Sequence, residues 1–286
     1  MTNDVSGNDG WGSQWQHISA AIVIAAQFNF NFAYTPMKKL EHLPNPFDSE
    51  KIHEMEVFAG FSSFRPVTNL SPDMPRQTIS DPSQAVCSGQ PVLYSVKYPK
   101  NILDAQPGWW NSQRHVLRAV YFSTPKPDLS HMLIANRTNV VALQRRYNKL
   151  HDDRCSILPN EYYTSVMRIV QHRYPNAAFH VLSQSNMMQP FSNRERQNCS
   201  DLSDEQFEDF ERFGNTSVHL DLSVQATVHM MMMADVLITS ISSFSYAASV
   251  HTVDLGQVYA IQFWHASLDG WHSCTYSYDQ VVATCT

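Results

Sequence analysis

Between residues 139 and 263 short apolar runs alternate with longer helical patterns, and this alternation limits the fold more than any other feature of the chain. NVVAL (139–143), AFHVL (178–182), 218–220, 236–239 and QVYAIQF (257–263) have the length and the β-branched, aromatic make-up of buried strands. Helical stretches separate them at 160–174, 203–213, 224–233 and 243–250. In the first, Tyr163, Val166, Met167 and Val170 fall at i, i+3, i+4 and i+7, and Asn160 follows Pro159 as a candidate cap. Strands that alternate with helices build βαβ units and a parallel sheet. Ligands of such sheets bind at the carboxyl ends of the strands.

The first part of the chain is less regular. A glycine-rich loop (7–14) leads into an apolar helix, WQHISAAIVIAAQF, and FNFAYTP (30–36) reads as a strand ended by proline. Helices are expected near 49–58 and 110–121 and a strand near 91–96, with long loops between. With 286 residues and 43% hydrophobic content the chain suits two domains with real cores. A net charge of −6 leaves no electrostatic footprint for nucleic acid, so a negatively charged partner must be met by particular arginines. No run reaches the ~18 continuous apolar residues of a membrane span, and the polar start MTNDVSGNDG lacks the basic region of a signal peptide. The five cysteines are scattered without a CxxC, which indicates neither a zinc site nor a disulfide framework and suggests a reducing cytoplasm. The sequons at Asn69, Asn136, Asn198 and Asn215 are then incidental.

Two stretches carry chemistry. DVLITSISSFSYAAS (235–249) empties a strand into a serine-rich turn and restarts as a helix. Its amides and hydroxyls suit a phosphate, or the serines only cap the helix. NVVAL leads into Gln144, Arg145 and Arg146 at another strand end. Two guanidiniums there suit a diphosphate, or form a solvated basic face continued by Lys149.

Together, VVALQRRYNKLHDDR…LPNEYY, AAFHVLSQS and SVHLD…TVHMMMMADVLITSISSFSYAA resemble the nucleotide-sugar domain of GT-B glycosyltransferases of the fucosyltransferase-like kind. GNDGWGSQWQ resembles their glycine-rich first loop, and TPMKKLEH its continuation in algal and viral members. The likeness is strong over 139–250 and weaker over 45–128. The family's His-x-Arg-Arg-Gly-Asp motif is altered: Leu143 stands for the histidine and Tyr147–Asn148 for Gly-Asp, while Arg145 and Arg146 remain. The absence of a signal peptide is reminiscent of glycosyltransferases of large algal viruses, among which exostosin-like xylosyltransferases use UDP-xylose.

The resemblance implies an α/β GT-B fold, two Rossmann-like domains with parallel sheets facing a central cleft. The expected division is an acceptor-side domain over 1–128, a nucleotide-sugar domain over 129–265, and a tail over 266–286 packing back on the first domain. It implies a cytoplasmic, inverting, metal-independent enzyme that moves a sugar, xylose from UDP-xylose first, to an oligosaccharide or glycoprotein acceptor such as an N-glycan fucose. No cofactor, nucleic acid or membrane span is expected, and the oligomeric state stays open, a homodimer included. Arg145 and Arg146 would hold the diphosphate with Ser242, Ser243 and the Phe244 amide. Ser183, Gln184, His219, Asp221 and Thr227 would border the nucleoside and phosphates, and Gly12 and Ser13 join the donor side from the first loop. The general base comes from Glu41, His42, Asp48, His53, Glu54, Glu56 or Asp73, with Asp73 in its proline-flanked loop first and Glu41 second. A tryptophan pair, Trp109–Trp110, could line an acceptor site or serve as packing. The alternatives are a GDP-fucose-dependent fucosyltransferase and a non-catalytic carbohydrate- or nucleotide-binding protein of the same fold.

Overall fold

In the computed structural model the chain divides into two compact units, Met1–Lys126 and Pro127–Thr286. The structure describes residues 1–3, 10–40, 43, 45–85, 89–143, 158–183, 207–252, 257–261, 267–277, 280 and 282–286. Both units are α/β with parallel-dominated sheets. Among the described residues no helix is long and apolar enough to cross a membrane.

The first unit contains β1 (Thr2–Asn3), α1 (Trp11–Gln27), α2 (Ser49–Phe58), β2 (Arg76–Ile79), β3 (Leu93–Val96), α3 (Pro99–Asp104) and α4 (Pro107–Tyr121). Its parallel sheet has the order β1-β3-β2. The helix α1 is apolar on nearly every side because nearly every side is buried. Trp15 is fully inaccessible and packs its indole against Trp11, Phe58, Phe61 and Tyr121 at centroid distances of 4.4 to 6.3 Å. Asp48 starts α2 by accepting the Glu50 and Lys51 amides on its side chain. Gly60 ends it in the left-handed region, with φ of 82°. A β-carbon on Gly60 would stand 2.0 Å from the Val120 carbonyl oxygen of α4, so the two helices meet where only glycine fits.

Two expectations are corrected here. The helix α1 begins at Trp11, so Gly12, Ser13 and Gln14 lie in its first turn rather than in a loop. Residues 30–36 are extended but form no strand. The Met1 amino group donates to Asn31 O and Ala33 N to Met1 O, yet the ladder stops there and Tyr34 makes a lone bridge to Pro66. The reason is local: the Asn3 side chain, not its backbone, takes up Thr35 N and O, and Pro36 has no amide to donate.

The second unit contains β4 (Asn139–Leu143), α5 (Asn160–Arg173), β5 (Ala178–Ser183), α6 (Glu208–Glu211), β6 (Thr216–Leu220), α7 (Val224–Met233), β7 (Val236–Ile238), α8 (Ser243–Ser249), β8 (Val258–Ile261), β9 (His272–Ser277) and β10 (Val282–Cys285). The sheet order is β10-β9-β8-β7-β4-β5-β6, and only β10 runs antiparallel. From β4 the chain steps outward through β5 to β6, then returns to the other side of β4 for β7, β8 and β9. This is a doubly wound order whose direction reverses between β4 and β7, where Ala142 pairs with Ile238. Alternate residues Val140, Ala142, Phe179, Val181, Val236 and Ile238 join one core with Tyr162, Tyr163, Val166, Met167 and Val170 of α5. Met230, Met231 and Met232 are fully buried, so the methionine run of α7 serves mainly as packing. Asn160 is the first residue of α5 rather than its cap, which is Pro159.

The C-terminal segment is also corrected. Residues 272–277 and 282–285, expected only as a tail, are β9 and β10 and extend the sheet of the second unit as a hairpin. Cys274 and Cys285, directly opposed in that hairpin, form a disulfide where none was expected. The bond closes a short loop, with a sequence separation of 11. Loop-closure entropy for a crosslink of that size is worth about 3 kcal/mol. Reduction, or paired Cys274→Ala and Cys285→Ala substitution, should lower stability by about 2–3 kcal/mol in denaturant titrations. An unchanged midpoint would show that the ladder alone holds the hairpin.

Candidate functional site

The doubly wound order puts the carboxyl ends of β4 and β7 side by side at the point of reversal. The described part of β4 ends at Leu143, and Arg145, Arg146 and Gln184 lie outside the described residues, as do Glu41 and His42. The serine turn follows β7. Thr239 stays tied to β8 through its amide, which donates to Tyr259 O at 3.0 Å. Ser245 is fully buried, and its hydroxyl donates to the Ser240 and Ser242 carbonyls, both at 3.1 Å. Ser242 caps α8, its hydroxyl accepting the Phe244 amide at 3.1 Å. The turn is therefore organised from within, as the capping reading of its serines expects. Ser242 and Ser245 are structural, and the Phe244 amide assigned to a phosphate is engaged by Ser242. Ser243 is half-buried beside them.

Other assigned residues gather at the same edge of the sheet. Ser183 ends β5 opposite Leu220, and its carbonyl accepts the Asp221 amide at 3.1 Å. Asp221 is exposed in the left-handed region, φ 56°, just past β6. Thr227 is turned to its own helix, its hydroxyl donating to Ser223 O at 2.9 Å. Gly12 and Ser13 belong to the other unit, in the first turn of α1. Asp73 sits exposed in a turn closed by Met74 N donating to Ser71 O, ahead of β2, and so at the amino end of its sheet. Proline stiffens its loop, which lies at the opposite end of its strand from the carboxyl end where ligands of parallel sheets generally bind.

Three arrangements went unnoticed in the sequence. Glu56 is a buried carboxylate that accepts Tyr34 Oη–H at 2.6 Å and Met37 N–H at 2.8 Å, with His53 Nδ1 at 3.8 Å. Burial, then the Glu56 charge, raises the Tyr34 hydroxyl far above its ordinary pKa, so it remains a donor. This ties the start of TPMKKLEH to α2. Lys126 reaches the Phe58 carbonyl at 2.7 Å and lies over the Tyr121 ring at 4.2 Å; burial lowers it to about 8. Trp110 is buried, and half-buried Trp109 packs edge-on to Phe28, so packing accounts for both.

The third is a polar thread under the site. Asn139 Oδ1 accepts Ile134 N at 2.8 Å and faces His180 Nε2 at 3.1 Å; His180 Nδ1 faces His219 Nε2 at 3.1 Å. The Asn139 amide nitrogen is held by the Ile134 and Arg137 carbonyls, which fixes the side chain's orientation. His180 must then carry its proton on Nε2, leaving Nδ1 to accept from His219 Nε2–H. A second proton on His180 would set two donors face to face. Burial, then the His219 neighbour, lowers His180 to about 4, and burial also lowers His219. The sign follows. These pKa values lie below their unfolded value, so the unfolded chain takes up protons first and stability falls with pH. The loss should begin below about 6.5 and level off near pH 4. The melting temperature should fall across this window, and His180→Gln should flatten the slope. An identical slope in that variant would remove the thread from the pH dependence. The sequence signal was a histidine inside the apolar run AFHVL.

Among the described residues no group of three or more His, Cys, Asp or Glu could hold a metal ion. No protein-family model matches the chain, and no curated protein matches it significantly.

Proposed function

We propose that the chain is a GT-B glycosyltransferase that moves a sugar from a nucleotide-sugar donor to a glycan acceptor by inversion, with UDP-xylose as the first donor candidate. The observation that carries this reading is positional. The Gln144–Arg145–Arg146 motif directly follows β4 and the serine turn directly follows β7, and these strands flank the reversal point of a doubly wound sheet. Two separate sequence features suited to one diphosphate therefore belong to neighbouring strand ends, where such sheets bind nucleotides.

In this reading Arg145 and Arg146 neutralise the diphosphate as it leaves, a role guanidinium fills without a metal. Ser243 contributes from the turn that Ser242 and Ser245 shape. Ser183 and Asp221 border the nucleoside. His219 and Thr227, engaged with His180 and Ser223, act as supports for that edge. One general base on the acceptor hydroxyl completes an inverting mechanism. Asp73, exposed in its turn ahead of β2, and Glu41, outside the described residues, are the first and second candidates for that role. Glu56 would hold the segment that leads to Glu41.

The test is thermal stabilisation by UDP, GDP, UDP-xylose, UDP-glucose and GDP-fucose, with and without chelator. A ligand that binds the native state raises the melting temperature by mass action. A shift with UDP-xylose that survives the chelator supports the reading. A shift with GDP-fucose alone favours the fucosyltransferase, which the surviving arginine pair also suits. Binding without release of nucleotide diphosphate in the presence of acceptor glycans favours a non-catalytic protein, which the altered His-x-Arg-Arg-Gly-Asp pattern suits. No shift with any nucleotide sinks the proposal.

A further inference from the structure

We propose that Asn136 and Asn215 are acceptors of N-linked glycans and that the protein matures in an oxidising, glycosylating compartment. This does not rest on the glycosyltransferase reading. Two independent observations converge on it. The first is the Cys274–Cys285 disulfide. Cys274 is fully buried and Cys285 half-buried within the packing of α5 and the hairpin. A buried pair of this kind is structural, and thiol pools of a reducing cytosol keep such pairs open. Forming it takes two protons and two electrons from the thiols, passed by exchange to the disulfide of an oxidising catalyst.

The second is the setting of two sequons. Asn136-Arg137-Thr138 and Asn215-Thr216-Ser217 both match the acceptor pattern. Both asparagines are exposed and left-handed, with φ of 63° and 53°. Asn136 lies in the turn before β4, and Asn215 follows left-handed Gly214 just before β6. Both therefore sit at the amino edge of the parallel sheet, opposite the carboxyl ends that carry the proposed donor site. Among the described residues neither side-chain amide is engaged in a hydrogen bond. Asn69 differs, its Oδ1 accepting the Thr68 hydroxyl at 3.5 Å. In the transfer the carboxamide nitrogen attacks C1 of a lipid-pyrophosphate-linked oligosaccharide. The N–C1 bond forms, the C1–O bond to pyrophosphate breaks, the lipid pyrophosphate leaves, and the amide proton passes to the transferring enzyme. Glycans so placed would leave the carboxyl edge open. This assigns a role to sequons that the sequence alone left incidental, and it replaces the expected cytoplasm with an oxidising compartment.

The experiment uses the endogenous full-length protein, immunoprecipitated from the cells that make it. Free thiols are alkylated first, and peptide:N-glycosidase is then applied in heavy-oxygen water before peptide mass spectrometry. The expected result is heavy aspartate at both Asn136 and Asn215, with Cys274 and Cys285 protected until reduction. Asn136→Asp and Asn215→Asp, which keep a side chain suited to the left-handed region, should each remove one glycan's step in gel mobility when expressed as full chains in the same cells. Absence of label at either asparagine, or alkylation of Cys274 and Cys285 without reduction, overturns the proposal.

Discussion

Gly60→Val should lower the stability of the first unit by about 2–5 kcal/mol. Two costs add. A side chain at φ of 82° is strained by roughly 1–2 kcal/mol. The β-carbon would stand 2.0 Å from Val120 O and 2.7 Å from Val120 C, and backbone cannot swing aside as a flexible side chain can. Relieving that overlap must part α2 from α4 near Trp15, the ring cluster that fills this core, at a further ~1–3 kcal/mol. Natural domains hold only about 5–15 kcal/mol in all. Denaturant unfolding followed by tryptophan fluorescence should show an early transition from the first unit. A wild-type midpoint would mean that α2 and α4 do not approach as described.

The second large effect concerns the proposed donor site. Arg146→Ala, alone or with Arg145→Ala, should cut transfer by about 10²–10³-fold, equivalent to ~2.7–4 kcal/mol, if the guanidiniums stabilise the departing diphosphate. Nucleotide-induced thermal shifts should shrink in step, while the ligand-free melting temperature stays put. Ser242→Ala provides the contrast. It removes the cap of α8 and should cost about 1 kcal/mol of stability even without nucleotide. Arginine variants that bind and turn over like wild type would end the assignment. A Ser242→Ala variant with unchanged stability would show that the cap contributes little.

These two predictions draw on different levels of what could be read in advance. The helices α2 and α7 fall where they were expected, and the structure adds their caps, Asp48 and Ser223, a local signal that the sequence reading had not used. The strand β4 was equally plain, an apolar run buried on both faces. The hairpin of β9 and β10 was not. HSCTYS and VATC are short and rich in hydroxyls, and their pairing is specified by partners rather than by hydrophobicity. The disulfide was hidden with it, since connectivity depends on register. Residues 30–36 misled because alternating Phe and Asn imitates a strand, while the Asn3 side chain takes the Thr35 backbone groups that a ladder would use. At the candidate site the sequence located the serine turn but could not tell which hydroxyls face inward. Asp73 shows the deeper limit. A carboxylate between prolines looks held in place, yet its value depends on which end of a sheet the loop occupies, and only topology decides that.

Asn139, through main chain and side chain together, fastens three separate parts of the second unit. Its main chain exchanges bonds with Asp235, its N–H donating to Oδ2 at 2.8 Å and its carbonyl accepting Asp235 N at 3.0 Å. Its amide closes the turn around Ile134 and meets His180 on β5. The strands β4, β5 and β7 are thus stitched at their amino ends, before any reach the edge where ligands are expected. A change at Asn139 is therefore felt at the starts of β4 and β5 together, away from the strand ends that face the candidate site.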